Sequence, residues 1–240
     1  MHASPDNRSS NSSQNPVGGV PGQFARLKGL SAALSPVVGV AFAAGFVCGA
    51  VLHPEMMEGW FSGILLLALA GALYVAWKRA VTIYLRYEAG AMGEEKVARV
   101  LEGIPGEWRL FHNISVGGKE CDHVLLGRGQ IFSIETVNWP GSVRVKEGRL
   151  MHGKQFYPGY DLKTLHERAE QFAHRLGVKA DRVKPAVCMV GGRYGDYAGM
   201  QDGVWLGEIQ DLVNFILGEE PGALTETEMV SILETLESEV

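Results

Sequence analysis

The chain has 240 residues, 22 Lys and Arg against 27 Asp and Glu for a formal charge of −5, and 46% hydrophobic residues. That allows one or two compact units and excludes a purely disordered or collagen-like chain. The acidic balance argues against a polyanion binder held by bulk electrostatics, while leaving room for a local basic patch. The three cysteines, Cys48, Cys121 and Cys188, are far apart with no CxxC or short Cys/His spacing, which argues against a disulfide scaffold or a zinc ribbon.

In chain order, residues 1–23 hold sixteen Ser, Asn, Pro, Gly and Gln and cannot bury enough apolar surface to offset ordering entropy. Residues 1–29 therefore read as a disordered cytoplasmic tail. Residues 30–52 then run 23 positions without a charge, and residues 59–77 run another 19. At a rise of about 1.5 Å per residue, each can cross a hydrocarbon core of roughly 30 Å, so residues 30–78 read as a transmembrane helical hairpin. Both runs are too long and too far from the start for a signal-peptide core. Arg26 and Lys28 precede the first run, and Lys78, Arg79 and Arg86 follow the second, while the connection at 53–58 carries only acids. The positive-inside rule then puts both termini and the C-terminal domain in the cytoplasm, with the bilayer of an inner or plasma membrane as a partner. Gly45 and Gly49 form a GxxxG that would serve hairpin packing or dimerisation equally well.

The segment beyond residue 80 carries 17 basic and 24 acidic residues, one ordinary soluble domain of residues 79–240. Val97, Val100, Leu101 and Ile104 have helical spacing from Glu94 onward and stop at Pro105-Gly106. Strands are predicted at 107–116, 120–127, 130–137 and 142–148. Asp161 caps a helix with apolar Leu162, Leu165, Ala169, Phe172, Ala173 and Leu176, closed by Gly177. Strands at 185–191 and 203–207 follow, then a helix through Ile209 and Ile216. Thr225 and Glu228 form the capping box of a last, acidic helix. The order implies a mixed α/β sheet flanked by helices.

The stretch 119–141 carries the chemistry. A two-residue turn at Arg128-Gly129 would set Asp122 across from Glu135 and Glu120 across from residue 137, with all four side chains on one face. Like charges about 5 Å apart need compensation. A divalent cation supplies it, since carboxylate oxygens suit Mg²⁺; the acids could instead lie on a solvated face or pair with Lys119, Arg144 or Lys146. His123 reads as a buried polar contact, and Cys121 and Cys188 as small core side chains.

The blocks GAMGEEKVARVLEG and KECDHVLLGRGQIFSIETVNWPG resemble the NERD (nuclease-related) domain over roughly residues 88–207. The family's usual pattern is a GxxGE helix start, an acidic-apolar-Asp-His strand and an ETKNWxG strand end. The resemblance implies a PD-(D/E)xK nuclease fold and metal-assisted phosphodiester hydrolysis with Mg²⁺ or Mn²⁺. Asp122 and Glu135 would be the metal-binding carboxylates, the Thr136 carbonyl a third ligand and Glu94 an accessory catalytic acid. The motif Lys position is Val137 here, a departure for which Lys146 and Lys163 are the substitute candidates; Thr164 is the loose equivalent of a helix Gln facing the site. Two functions follow: a membrane-anchored enzyme acting on DNA or RNA, or a catalytically inactive tethered binding or scaffold module. A third reading has the carboxylate face hold a metal or protein without nucleic acid; the apolar stripe of the acidic C-terminal helix, Met229 to Leu236, is expected first to pack on the domain and otherwise to offer a protein docking surface.

Overall fold

A computed structural model describes residues 19–51, 59–116, 119–195, 198–222 and 224–238. The expected disorder of residues 1–18 and the connection at 53–58 lie outside the described residues. The first apolar run belongs to helix α1, Gln23–Val51. Residues 23–29, expected in the tail, are therefore helical. They are held by Arg26, which pairs with Glu88 and Glu95, and by Gly29 against Tyr87.

The second apolar run opens helix α2, Gly59–Glu102, a single helix of 44 residues. The sequence reading ends a span at residue 77 and starts a separate helix near Glu94. Nothing between them breaks the helix: the segment has no proline, and Arg26 lies along its flank. At about 1.5 Å per residue α2 is roughly 66 Å long, so one rod is both the second apolar helix and the first helix of the domain. Both helices are long and apolar enough to cross a membrane, and their most apolar windows are only 6% and 11% buried, unlike core helices. Phe42 and Phe46 are more than four-fifths exposed. A Cβ built on Gly39, Gly45 or Gly49 meets nothing within 4 Å, so the small-residue face of α1 is not spent on α2.

The domain is built on a six-stranded sheet in the order β1-β2-β3-β7-β10-β9. Strands β1 (Trp108–Val116), β2 (Lys119–Gly127) and β3 (Gln130–Val137) are antiparallel. β7 (Val183–Met189) runs parallel to both β3 and β10 (Val204–Glu208), and the short β9 (Gly199–Gln201) closes the edge. Alternation along β2 and β3 sends Val124, Leu126 and Ile131 toward α3 (Leu162–Arg175) and α5 (Glu226–Glu237). Leu125, Phe132 and Ile134 go to the other face, under the end of α2 and α4 (Ile209–Gly218). The stripe of α5 is spent here: Ile232 and Leu236 are buried against the cluster that contains Phe172.

The fourth expected strand forms, as β4 (Gly141–Lys146), but outside the main sheet. With β5 (Arg149–His152), β6 (Gln155–Asp161) and β8 (Gly192–Tyr194) it makes a second sheet in the order β6-β5-β4-β8. β5 and β6 escape sequence reading because they are short, weakly alternating and interrupted by Pro158 and a bulge between Arg149 and Met151. Asp161 caps α3 through the N–H groups of Lys163 and Thr164, and Thr225 and Glu228 form the capping box of α5.

Phe132 is fully buried between Trp108 and Phe215, with ring centroids 6.1 and 5.6 Å away. Phe132→Ala is expected to lower stability by about 3–5 kcal/mol, read from urea unfolding of the full chain in detergent micelles by tryptophan fluorescence. Lys163→Ala, at a side chain 84% exposed, should stay within about 0.5 kcal/mol; equal effects would refute this packing.

Candidate active site at the end of the β2–β3 hairpin

The turn joining β2 and β3 has Arg128 at φ 50° and Gly129 at φ 72°. Two successive positive φ values define the tight hairpin turn whose twist matches its strands. It sets Gly127 opposite Gln130 and, along the ladder, His123 opposite Ile134. Carried one pair further, the register faces Asp122 with Glu135. There the ladder opens, and Asp122 Oδ2 accepts the N–H of Thr136 at 2.7 Å.

Four carboxylates meet at this end of the sheet, and each has a partner on a different element. Glu135 Oε1 lies 3.3 Å from Arg168 Nη1 on α3, with side chains only 15% and 22% exposed. Glu94, on α2 well beyond its apolar run, accepts the N–H of Gly22 at 2.9 Å. Glu120 Oε2 lies 3.1 Å from Lys28 Nζ on α1. Gly22 is required by its surroundings: φ is +75° and a Cβ would stand 2.9 Å from Ala91. Asn138, just past β3, donates to the Ala89 carbonyl and ties the hairpin to α2.

The electrostatics follow from burial and crowding. Burial first, then the charges of Glu135 and Glu94, hold the Asp122 carboxyl well above the ordinary range, against the pull of the Thr136 N–H. Glu94 is raised by burial, with the Gly22 N–H opposing. Burial and the charges of Asp122 and Glu135 likewise raise the phenol of Tyr160 on β6. Behind the site, His112 and His123 are buried with Nδ1 atoms 2.8 Å apart, and burial lowers their pKa values to about 4 and about 3. Both rings are neutral at pH 7, one Nδ1 donating to the other.

In front, a cleft of about 410 Å³, counted to its open mouth, runs between α3 and the sheet. Its polar lining includes Glu120, Ser133, Glu135 and Arg168. Arg168 Nε is buried with no hydrogen-bond partner among the described residues.

The structure thus brings Glu94, Asp122 and Glu135 together. It does not bring Lys146 or Lys163 to them: these side chains are 62% and 84% exposed, beside Glu147 at 3.9 Å and Glu167 at 3.8 Å. Val137 is buried among Val143, Leu150 and Leu162. Thr164 spends its N–H on the Asp161 cap. The cation that pairs with Glu135 is Arg168, one helical turn beyond Thr164 along α3. Its signal was readable: position 168 lies three after Leu165 and four before Phe172, so a charge sits on the buried stripe of an amphipathic helix. Gly22 and Lys28 carry no comparable local signal, since they act 72 and 92 residues away in sequence.

An all-oxygen donor set suits a hard divalent cation, which would offset the like charge of Asp122 and Glu135. Among the described residues no group of three or more His, Cys, Asp and Glu is placed to hold a metal ion. Mg²⁺ does not require one, because it keeps waters and takes one or two protein carboxylates. Asp122 and Glu135 are the two carboxylates that would serve such an ion here.

A carboxyl raised in the folded state stabilises fully below its unfolded value near 3.9, and that contribution is lost as pH climbs toward the raised value. At about pH 8 the raised Asp122 carboxyl therefore works against folding. Asp122→Asn keeps an acceptor for Thr136 and is expected to raise stability there by about 1 kcal/mol or more, a gain of roughly 2–4 °C in melting temperature. The gain should shrink toward about pH 4, and a melting temperature that is unchanged or lower in the variant at every pH would refute this account of the site.

No curated protein and no solved structure gives a significant match to this chain. Residues 89–190, a span that contains Glu94, Asp122, Glu135 and Arg168, match the family model of the nuclease-related domain (NERD).

Proposed function

We propose that this protein is a membrane-anchored, nuclease-related enzyme that hydrolyses phosphodiester bonds in nucleic acid at the cytoplasmic face. The observation that carries the reading is the facing pair Asp122 and Glu135 within the matched region, joined by Glu94, with Glu135 lining a cleft. The apolar helices α1 and α2 supply the anchor, and the basic residues at their domain-side ends support the orientation.

Asp122 and Glu135 would hold Mg²⁺ or Mn²⁺. When bound, the ion would orient water and offset charge on the phosphate oxygens. Glu94, kept from solvent and already holding a raised pKa, is suited to take or return a proton near the attacking water. Arg168 stands in for the motif lysine. Its guanidinium cannot act as a base, but its fork can hold Glu135 with one nitrogen and a phosphate oxygen with another. The orphaned Nε supports this role.

One observation favours a second reading, a catalytically inactive tethered binding module. The motif-lysine position is the apolar, buried Val137, and Arg168 already occupies an oxygen of Glu135.

The test uses the full chain in detergent micelles, because a fragment beginning near residue 81 would lose Gly22 and Lys28 from the site. Labelled single- and double-stranded DNA and RNA are incubated with Mg²⁺ or Mn²⁺ against EDTA. Metal-dependent cleavage is expected, falling by about 10³-fold or more in Asp122→Ala and by about 10- to 1000-fold in Arg168→Ala. Absence of metal-dependent cleavage on every substrate would select the binding module.

A further inference from the structure

The chain is acidic overall, yet its second sheet is not. Arg144, Lys146, Arg149, Lys154 and Arg193 are all exposed there, against Glu147 and Asp161, with Asp202 beside the Gly148 turn. The register collects the strand residues on one side. Val143, Leu150 and, in part, Val145 are buried, so the alternate residues Ser142, Arg144 and Lys146 face outward on β4. Lys146 pairs across the ladder with Arg149 on β5, and Ser142 with Arg193 on β8. Arg144 stands across from Met151, which in turn faces Phe156 on β6. Phe156 is 42% exposed, and the Arg149 guanidinium lies over its ring at 5.9 Å. Internal neutralisation is thin: Lys146 reaches Glu147 only at 3.9 Å, Arg149 pairs with Asp161 at 3.2 Å, and Arg144 donates to the Gly153 carbonyl at 3.3 Å.

The sheet that carries this face follows the carboxylate strand directly. β4 begins at Gly141, four residues after β3 ends at Val137, and Tyr160 of β6 stacks edge-on against Trp139 at 5.3 Å. Four carboxylates would repel a phosphate backbone, so whatever brings a polyanion to them must lie beside them. Cations on successive strands about 4.8 Å apart form such a track. An exposed phenylalanine adds a surface for a base, which only an unpaired strand can offer.

We propose that the outward face of the second sheet, Arg144, Lys146, Arg149 and Arg193 with Phe156, binds single-stranded nucleic acid, phosphates on the cations and a base on the ring. The inference rests on the nuclease-related reading and names its substrate class. An anionic lipid surface is the less suited occupant, because Lys78, Arg79 and Arg86 at the end of the apolar run already supply charges for headgroups.

The full chain in nonionic detergent with EDTA is titrated into fluorescein-labelled oligo(dT) and oligo(U) longer than the roughly 4 to 16 nucleotides of a single-strand site, and anisotropy is followed at several salt concentrations. The variant Arg144→Gln/Lys146→Gln/Arg193→Gln is expected to bind at least about 10-fold more weakly, with a salt slope shallower by about 2. Phe156→Ala, an exposed position that leaves the charges in place, should cost about 5- to 100-fold. No binding by the parent, binding unchanged in both variants, or binding confined to phosphatidylglycerol vesicles would each overturn the proposal. Asp122→Asn separates the two readings. Strand binding that depends on the basic face without any cleavage overturns the nuclease alone, and cleavage indifferent to both variants overturns this interface alone.

Discussion

The arrangement of the site depends on a two-residue turn. With Arg128 and Gly129 both at positive φ, the β2–β3 hairpin has one register, and that register sets Asp122 against Glu135. A slip of one residue would send one carboxylate to the opposite face, among Phe132 and Ile134, where a buried charge has no partner. The cost of two facing acids is therefore built in by the same turn that aligns the core residues Val124, Leu126 and Ile131. The hairpin cannot keep its hydrophobic register without keeping the acids together.

That cost is met from far away in the chain. Glu135 is answered by α3 through Arg168, Glu94 by the Gly22 N–H and Glu120 by Lys28. Two of these three partners come from the turn and first residues of α1, the helix whose remainder is apolar and exposed. α2 closes the circuit, since one continuous rod carries an apolar run at one end and Glu94 at the other. A displacement of α1 relative to α2 would change the charge balance around Asp122 without touching the sheet.

Much of this was legible in the sequence because it is local. The hairpin turn, the Asp161 cap, the Thr225 and Glu228 capping box and the strands on either side of Arg128-Gly129 all follow from spacing within a few residues. What was not legible is long-range or low in contrast. Residues 78–93 mix charges with apolar residues, and that hid the continuity of α2, where only the absence of a breaker gave it away. The second sheet was hidden because its strands are short, carry Pro158 and alternate poorly. The substitutes named for the missing lysine, Lys146 and Lys163, rest on residue type and on a place in a neighbouring strand or helix, and both side chains are solvated beside acids of their own. Arg168 could have been found by asking which charge violates an apolar stripe, a question about helix geometry rather than motif.

The sheet that was hardest to read also reverses the simplest electrostatic inference. A net charge of −5 describes the chain as a whole, but a ligand responds to the potential where it binds, and at physiological salt that potential decays over about 8 Å. Within that range the outward face of the second sheet is positive and the cleft beside it is negative. On the proposed reading, such a pair would draw a polyanion to the face and admit its phosphate to the cleft only with the carboxylates neutralised, by protons, by Arg168 or by a divalent cation. Val137 then takes on a different meaning. A lysine there would have to place its charge among Val143, Leu150 and Leu162, whereas the apolar residue keeps that core intact and leaves Arg168 as the cation paired with Glu135.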